Sequence, residues 1–87
     1  MREDIMLELF AKRLAAELGA AWRHTKTTAV IKVSEALSAE VSQRLDGDIT
    51  VGLSGLSSEY RHYSGRPGDV IMAASFIREA LTQERTA

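Results

Sequence analysis

Chain-breaking residues are unevenly distributed in this 87-residue sequence. The first 46 residues contain a single glycine, Gly19, and no proline, whereas Gly47, Gly52, Gly55, Gly65, Pro67 and Gly68 crowd into the stretch between 47 and 68. Glycine and proline are the strongest local interrupters of regular structure. Their placement predicts a largely helical front half followed by turns and short extended segments.

The first element is the clearest. Met6, Phe10, Leu14, Leu18 and Trp22 step by four, and Ile5, Leu7 and Leu9 widen the stripe. This is an amphipathic helix over about 3–18. Glu3 and Asp4 suit the positive end of its dipole, while Glu8 with Lys12 and Arg13 with Glu17 are spaced to pair along its surface. Gly19 either ends this helix or interrupts it before Ala20 and Ala21.

The next segment supports two readings. Between Thr25 and Val33 the residues Thr25, Thr27, Thr28, Val30, Ile31 and Val33 are β-branched, which favours a strand. Val30, Val33, Leu37, Val41 and Leu45 also fall at helical spacing. The first reading is a strand over 28–33 and then a helix capped by Ser34, with Glu35 in its first turn. The second is one helix over about 28–45, which the unbroken stripe favours. Either way Asp46-Gly47-Asp48 ends it.

Beyond residue 48, Ile49, Val51 and Leu53 alternate with Thr50, Gly52 and Ser54. With a turn at Ser54-Gly55 and a return through Tyr60-Arg61-His62-Tyr63, residues 49–63 read as a hairpin. Gly52 inside its first strand signals a bulge or a close backbone approach. A loop follows, and then Val70, Ala73, Ala74, Ile77, Ala80 and Leu81 form the stripe of a helix over about 68–84, with Asp69 near its start. The fold class expected is a small single α+β domain: helix, then helix or strand–helix, then β-hairpin, then helix.

Composition narrows the function classes. Apolar residues form 45% and charged residues 26% of the chain, the balance of a folded protein. Eleven basic residues against twelve acidic ones give a net charge of −1, which argues against a globally basic nucleic-acid binder. Cysteine is absent, so disulfides and thiolate metal sites are excluded. The acidic start carries no secretory signal, and no window approaches a membrane span, so a cytoplasmic protein is expected.

No catalytic set assembles from the motifs. His24 and His62 have no further ligand at helical or hairpin spacing, so no metal and no cofactor is expected. Gly52-Leu53-Ser54-Gly55-Leu56 lacks the second glycine of a nucleophile elbow. Gly65-Arg66-Pro67-Gly68 lacks the spacing and Lys-Ser/Thr ending of a phosphate loop, and Asp46 and Asp48 do not begin a calcium loop. A helix-turn-helix would need a sharp turn between Ser34 and Leu45, where no turn-former lies.

Charge placement is the strongest remaining signal. No acid occurs between Glu17 and Glu35, where Trp22, Arg23, His24, Lys26 and Lys32 lie. None occurs between Glu59 and Asp69, where Tyr60, Arg61, His62, Tyr63 and Arg66 lie. Arg and aromatic residues concentrate binding energy at protein interfaces. The candidate binding residues are therefore Trp22, Arg23, Lys26, Tyr60, Arg61, Tyr63 and Arg66. The same segments, 22–32 and 60–66, could instead contact phosphates and stack on bases. Three apolar stripes plus Trp22, Met72, Phe76 and two tyrosines exceed what one hairpin can cover, so self-association as a homodimer is expected as well.

The hairpin ending in Glu59-Tyr60-Arg61 and the Ala-rich helix after it resemble small phage head–tail joining proteins of the helix–hairpin–helix type. The resemblance covers less than half of the chain and supplies no site residues. It implies a virion-assembly role as an alternative to the main expectation, a non-enzymatic protein-interaction domain acting as adaptor, inhibitor or small structural subunit.

Overall fold

A computed structural model describes residues 2–25, 27–55 and 59–86, with side chains for 7–25, 27–55, 59–66 and 68–83. Helix α1 (Arg2–Leu18) is followed by five strands, β1 (Ala21–His24), β2 (Thr28–Lys32), β3 (Leu37–Gln43), β4 (Ile49–Gly55) and β5 (Tyr60–Tyr63), and then by helix α2 (Pro67–Thr86). The strands form one antiparallel sheet in sequence order, β1-β2-β3-β4-β5. The α+β class holds. Both terminal helices and the hairpin at 49–63 lie where periodicity put them.

The front half departs from expectation in two places. Residues 28–45 are not a helix, and no helix follows Ser34; the segment is the β2–β3 hairpin. Ala29, Ile31, Leu37, Ala39 and Val41 are all buried, a period of two that small alanines had disguised. Val30 and Leu45, which completed the helical stripe, face away from the core; Leu45 is fully exposed. Ser34 does use its side chain as a cap would. Its Oγ accepts the Leu37 N–H at 3.1 Å, three residues on, but the bond closes a turn between strands. The other departure is β1, a strand that begins directly after Gly19 and Ala20.

Gly19 ends α1 with a φ of 63°. Gly19 N–H donates to Ala16 O (3.2 Å) and Ala20 N–H to Ala15 O (2.9 Å), the paired bonds of a Schellman cap. Since the last turn of α1 holds no basic residue, Arg78 of α2 supplies one, donating from Nη2 to Glu17 O at 2.7 Å.

The expected turn at Ser54-Gly55 is also displaced. Both residues belong to β4 and pair with Ser38 and Leu37. The connection to β5 runs through Leu56, Ser57 and Ser58, which lie outside the described residues, as does Lys26. So do the side chains of Glu3, Asp4, Ile5 and Met6.

Both helices cover one face of the sheet. Leu7, Phe10, Ala11 and Leu14 of α1 and Val70, Ala73, Ala74 and Ile77 of α2 join Ile31, Leu37, Val41, Ile49, Val51 and others in one hydrophobic cluster. Five strands, rather than one hairpin, lie under the helices and take up much of the apolar surplus that motivated self-association, while Leu9, Tyr60, Ile71 and Met72 stay exposed. Among the described residues no polar or charged side chain is buried in the core. No described helix is long and apolar enough to cross a membrane.

Candidate functional site at the sheet edges

The two basic–aromatic segments sit at opposite ends of the sheet. Trp22 and Arg23 lie on β1; Tyr60, Arg61 and Tyr63 lie on β5, with Arg66 just beyond it. Four strand spacings, about 19 Å, separate β1 from β5. The predicted residues are thus not brought together into one patch, and each group belongs to its own edge.

At the β5 edge, register decides which way each group points. Leu53 N–H donates to Glu59 O at 2.8 Å, so Val51 with Arg61 and Ile49 with Tyr63 are the hydrogen-bonded pairs. The backbone groups of Tyr60, His62 and Ser64 therefore point outward. Two are covered by neighbouring side chains. Arg61 Nη1 donates to Tyr60 O at 3.3 Å, and Asp69 Oδ2 accepts the Ser64 N–H at 3.0 Å.

The side chains of β5 are equally engaged. Arg61 faces the helices, its guanidinium 4.9 Å from the Phe76 ring centroid, in cation–π range. It also meets Glu59 at 3.7 Å, an exposed pair worth little. Tyr63 packs against Phe10 with ring centroids 6.4 Å apart. Burial raises the pKa of the Tyr63 hydroxyl; the Arg61 charge opposes that shift and Asp69 adds to it. On the uncovered face Tyr60 lies edge-on to His62 at 5.4 Å, and His62 Nδ1 is 2.9 Å from Thr50 Oγ1. Tyr60 also stands opposite Gly52, where an added Cβ would lie 3.8 Å from the Tyr60 Cβ, an ordinary contact; the register runs unbroken through Gly52, so the expected bulge or close backbone approach is not found there.

The β1 edge is different. Thr25 N–H donates to Thr28 O at 2.7 Å, which makes Arg23 with Val30 and Ala21 with Lys32 the hydrogen-bonded pairs and turns the backbone groups of Trp22 and His24 outward. No described group bonds them there. Trp22 faces the helices and is half-buried against the core; Arg23 is exposed on the opposite face. Beside Arg23 lies an open hollow lined by Trp22, Val30, Lys32 and Glu35, with a volume of about 510 Å³.

Several participants were absent from the sequence-derived set. His24 shares the outward backbone direction of Trp22, which period two from Trp22 would have indicated once the segment was known to be a strand. Phe76 and Asp69 reach β5 from another element, and no sequence pattern links them to it. Among the described residues no three His, Asp or Glu side chains gather as a metal-binding set. Comparison with protein-family models, with curated proteins and with solved structures finds no match to the chain.

Proposed function

We propose that the chain is a non-enzymatic protein-binding domain that engages its partner by strand addition at β1. The observation carrying this reading is the asymmetry of the two edges. At β5 two of the outward groups, Tyr60 O and Ser64 N–H, are covered by Arg61 and Asp69, a common way of blunting an edge. At β1 the outward groups of Trp22 and His24 are left open beside a half-buried tryptophan and an exposed arginine, residue types that dominate interface energetics. An unpaired strand edge offers main-chain hydrogen bonds for affinity and alternate side-chain positions for specificity.

The separation of the basic segments favours this reading over nucleic-acid binding, because their described cations lie at opposite edges of the sheet, about 19 Å apart. His24→Pro tests it. Proline at this position deletes an outward N–H and leaves the Arg23–Val30 bonds to β2 in place. Polypeptides that co-purify with the tagged chain through β1 are lost with His24→Pro and kept with Arg61→Ala. Recovery unaffected by His24→Pro overturns the proposal.

A further inference from the structure

The β1 edge also carries information about what it binds. Resting on the strand-addition reading above, we infer that the incoming strand is an extended acidic peptide, with apolar residues on the helix side and a carboxylate opposite Arg23. A strand added to β1 presents its side chains alternately to the two faces of the sheet. On the helix side its neighbours are Trp22, half-buried at the rim of the core, which calls for an apolar contact, and the exposed His24. On the open side its neighbour is Arg23, with Lys32 in the hollow behind it.

Among the described residues, Glu35 and Glu40 are the acids to weigh against these cations. Glu35 lines the hollow together with Arg23 and Lys32, one acid against two cations. Glu40 lies in the cross-strand row Arg23–Val30–Glu40, two strand spacings from Arg23 and three, about 14 Å, from an added strand. The segment from Leu18 to Ser34 contains no acid at all, so β1, β2 and their connection contribute only positive charge. At the start of β1, Arg78 is drawn to the end of α1 by Glu17 O and brings a further cation. Like charges directly opposite one another across a strand pair are destabilising, and opposite charges are favourable.

The same rule argues against a second copy as the occupant. In a two-fold antiparallel pairing of β1 with β1, the register that bonds both outward residues sets Trp22 opposite His24 of the second copy. It thereby places Arg23 directly opposite Arg23, a like-charge pair on the open face. A foreign strand carrying a carboxylate at that position relieves this repulsion and gains an ion pair.

Fluorescein-labelled octapeptides of alternating Val and Glu, Val and Ser, and Val and Lys, measured by fluorescence anisotropy with the full chain, test the inference. The Val-Glu peptide should bind about tenfold more tightly than Val-Ser, with Val-Lys weaker still, and its affinity should fall as salt is raised. Arg23→Glu should invert the order of Val-Glu and Val-Lys, and His24→Pro should weaken all three, with far-UV circular dichroism unchanged in both variants. Lys32→Glu, one strand further in, should reduce the preference for Val-Glu without inverting it. If Val-Glu and Val-Ser bind equally and both are lost in His24→Pro, the acidic partner is refuted while strand addition stands. If binding ignores the His24→Pro substitution, both fail. A doubled solution mass by light scattering that His24→Pro abolishes replaces the peptide with a second copy. Retention on single-stranded oligonucleotide with no binding of Val-Glu overturns the inference in favour of phosphate.

Discussion

Gly55 and Gly47 both hold positive φ, 120° and 95°, but their surroundings differ sharply. An added Cβ at Gly55 would lie 1.8 Å from Ala36 O, against backbone that cannot yield, whereas Gly47 has open space within 4 Å. Gly47→Ala should lose about 1–2 kcal/mol from the backbone conformation alone. Gly55→Ala should lose clearly more, because the β3–β4 pairing must also part, and thermal melts of the two variants provide the comparison. Asp69 presents a different single-residue case. Its carboxylate accepts from Ser64 Oγ at 2.6 Å, from Ser64 N–H and from Arg66 N–H. These bonds, the Ser64 hydroxyl foremost, outweigh desolvation and hold its pKa below the ordinary carboxylate value; the nearby Arg66 charge adds to the effect. With the folded pKa depressed, the stabilisation is present above the unfolded pKa, near 4, and is lost as pH falls through the lower folded value. Asp69→Asn keeps an acceptor oxygen but loses the charge these donors favour, and should therefore reduce stability at pH 7. The deficit should shrink below about pH 4 when unfolding is followed across pH.

Among the elements, β2 offers the sharpest check of register. Ile31 is fully buried beneath the helices, while its neighbour Val30 faces the uncovered side. Ile31→Ala should cost about 2–5 kcal/mol in urea unfolding, and Val30→Ala well under about 1 kcal/mol. A helix over 28–45 would have put Val30, Val33 and Leu37 on one buried stripe, so equal effects at 30 and 31 would contradict the sheet. The edges give a second contrast. Arg61 joins Phe76 to the Tyr60 carbonyl, so Arg61→Ala removes a cation–π contact and uncovers an edge carbonyl together. The variant should aggregate faster than the parent chain at equal concentration, measured by static light scattering, because an unguarded edge is a template for further pairing. The helices were readable from four-residue stripes because each buries a continuous face. In the front half the β-branched run offered β2 as one of two readings, whereas β1 and β3 went unread, Ala39 marking the buried side of β3 with a residue too small to register as an apolar signal.

For the whole molecule, α1, α2 and the sheet share one hydrophobic cluster, and α1 spans the sheet, with Phe10 touching Tyr63 of β5 while its C-terminus leads into β1. Such continuity predicts cooperative unfolding. Trp22 fluorescence, reporting β1, and far-UV circular dichroism, reporting the helices, should give coincident urea transitions. A transition at Trp22 that precedes loss of helix would mean that β1 opens separately from the core. Every strand pairs with its neighbour in sequence, so the sheet is built from local connections, and folding should be fast for a chain with five strands. The overall dimensions, 40 × 22 × 21 Å, match a sheet roofed on one face by two helices.

Residues close together in the chain were enough to establish the α+β class, the terminal helices, the β4–β5 hairpin, a break at Gly19 and the two acid-free segments. Packing was needed to establish that residues 28–43 pair as strands, because either period could be read into them until helices were laid across one side. Packing also set the two basic–aromatic segments at opposite edges, since strand order is not written in any local pattern. It decided which outward groups find side chains: Arg61, held against Phe76 of α2, meets Tyr60 O and Asp69 meets Ser64 N–H, while no described side chain bonds the outward groups of Trp22 and His24 on β1. Spacing along a chain governs which side chains share a face, whereas contact between elements governs which backbone groups are left for another molecule.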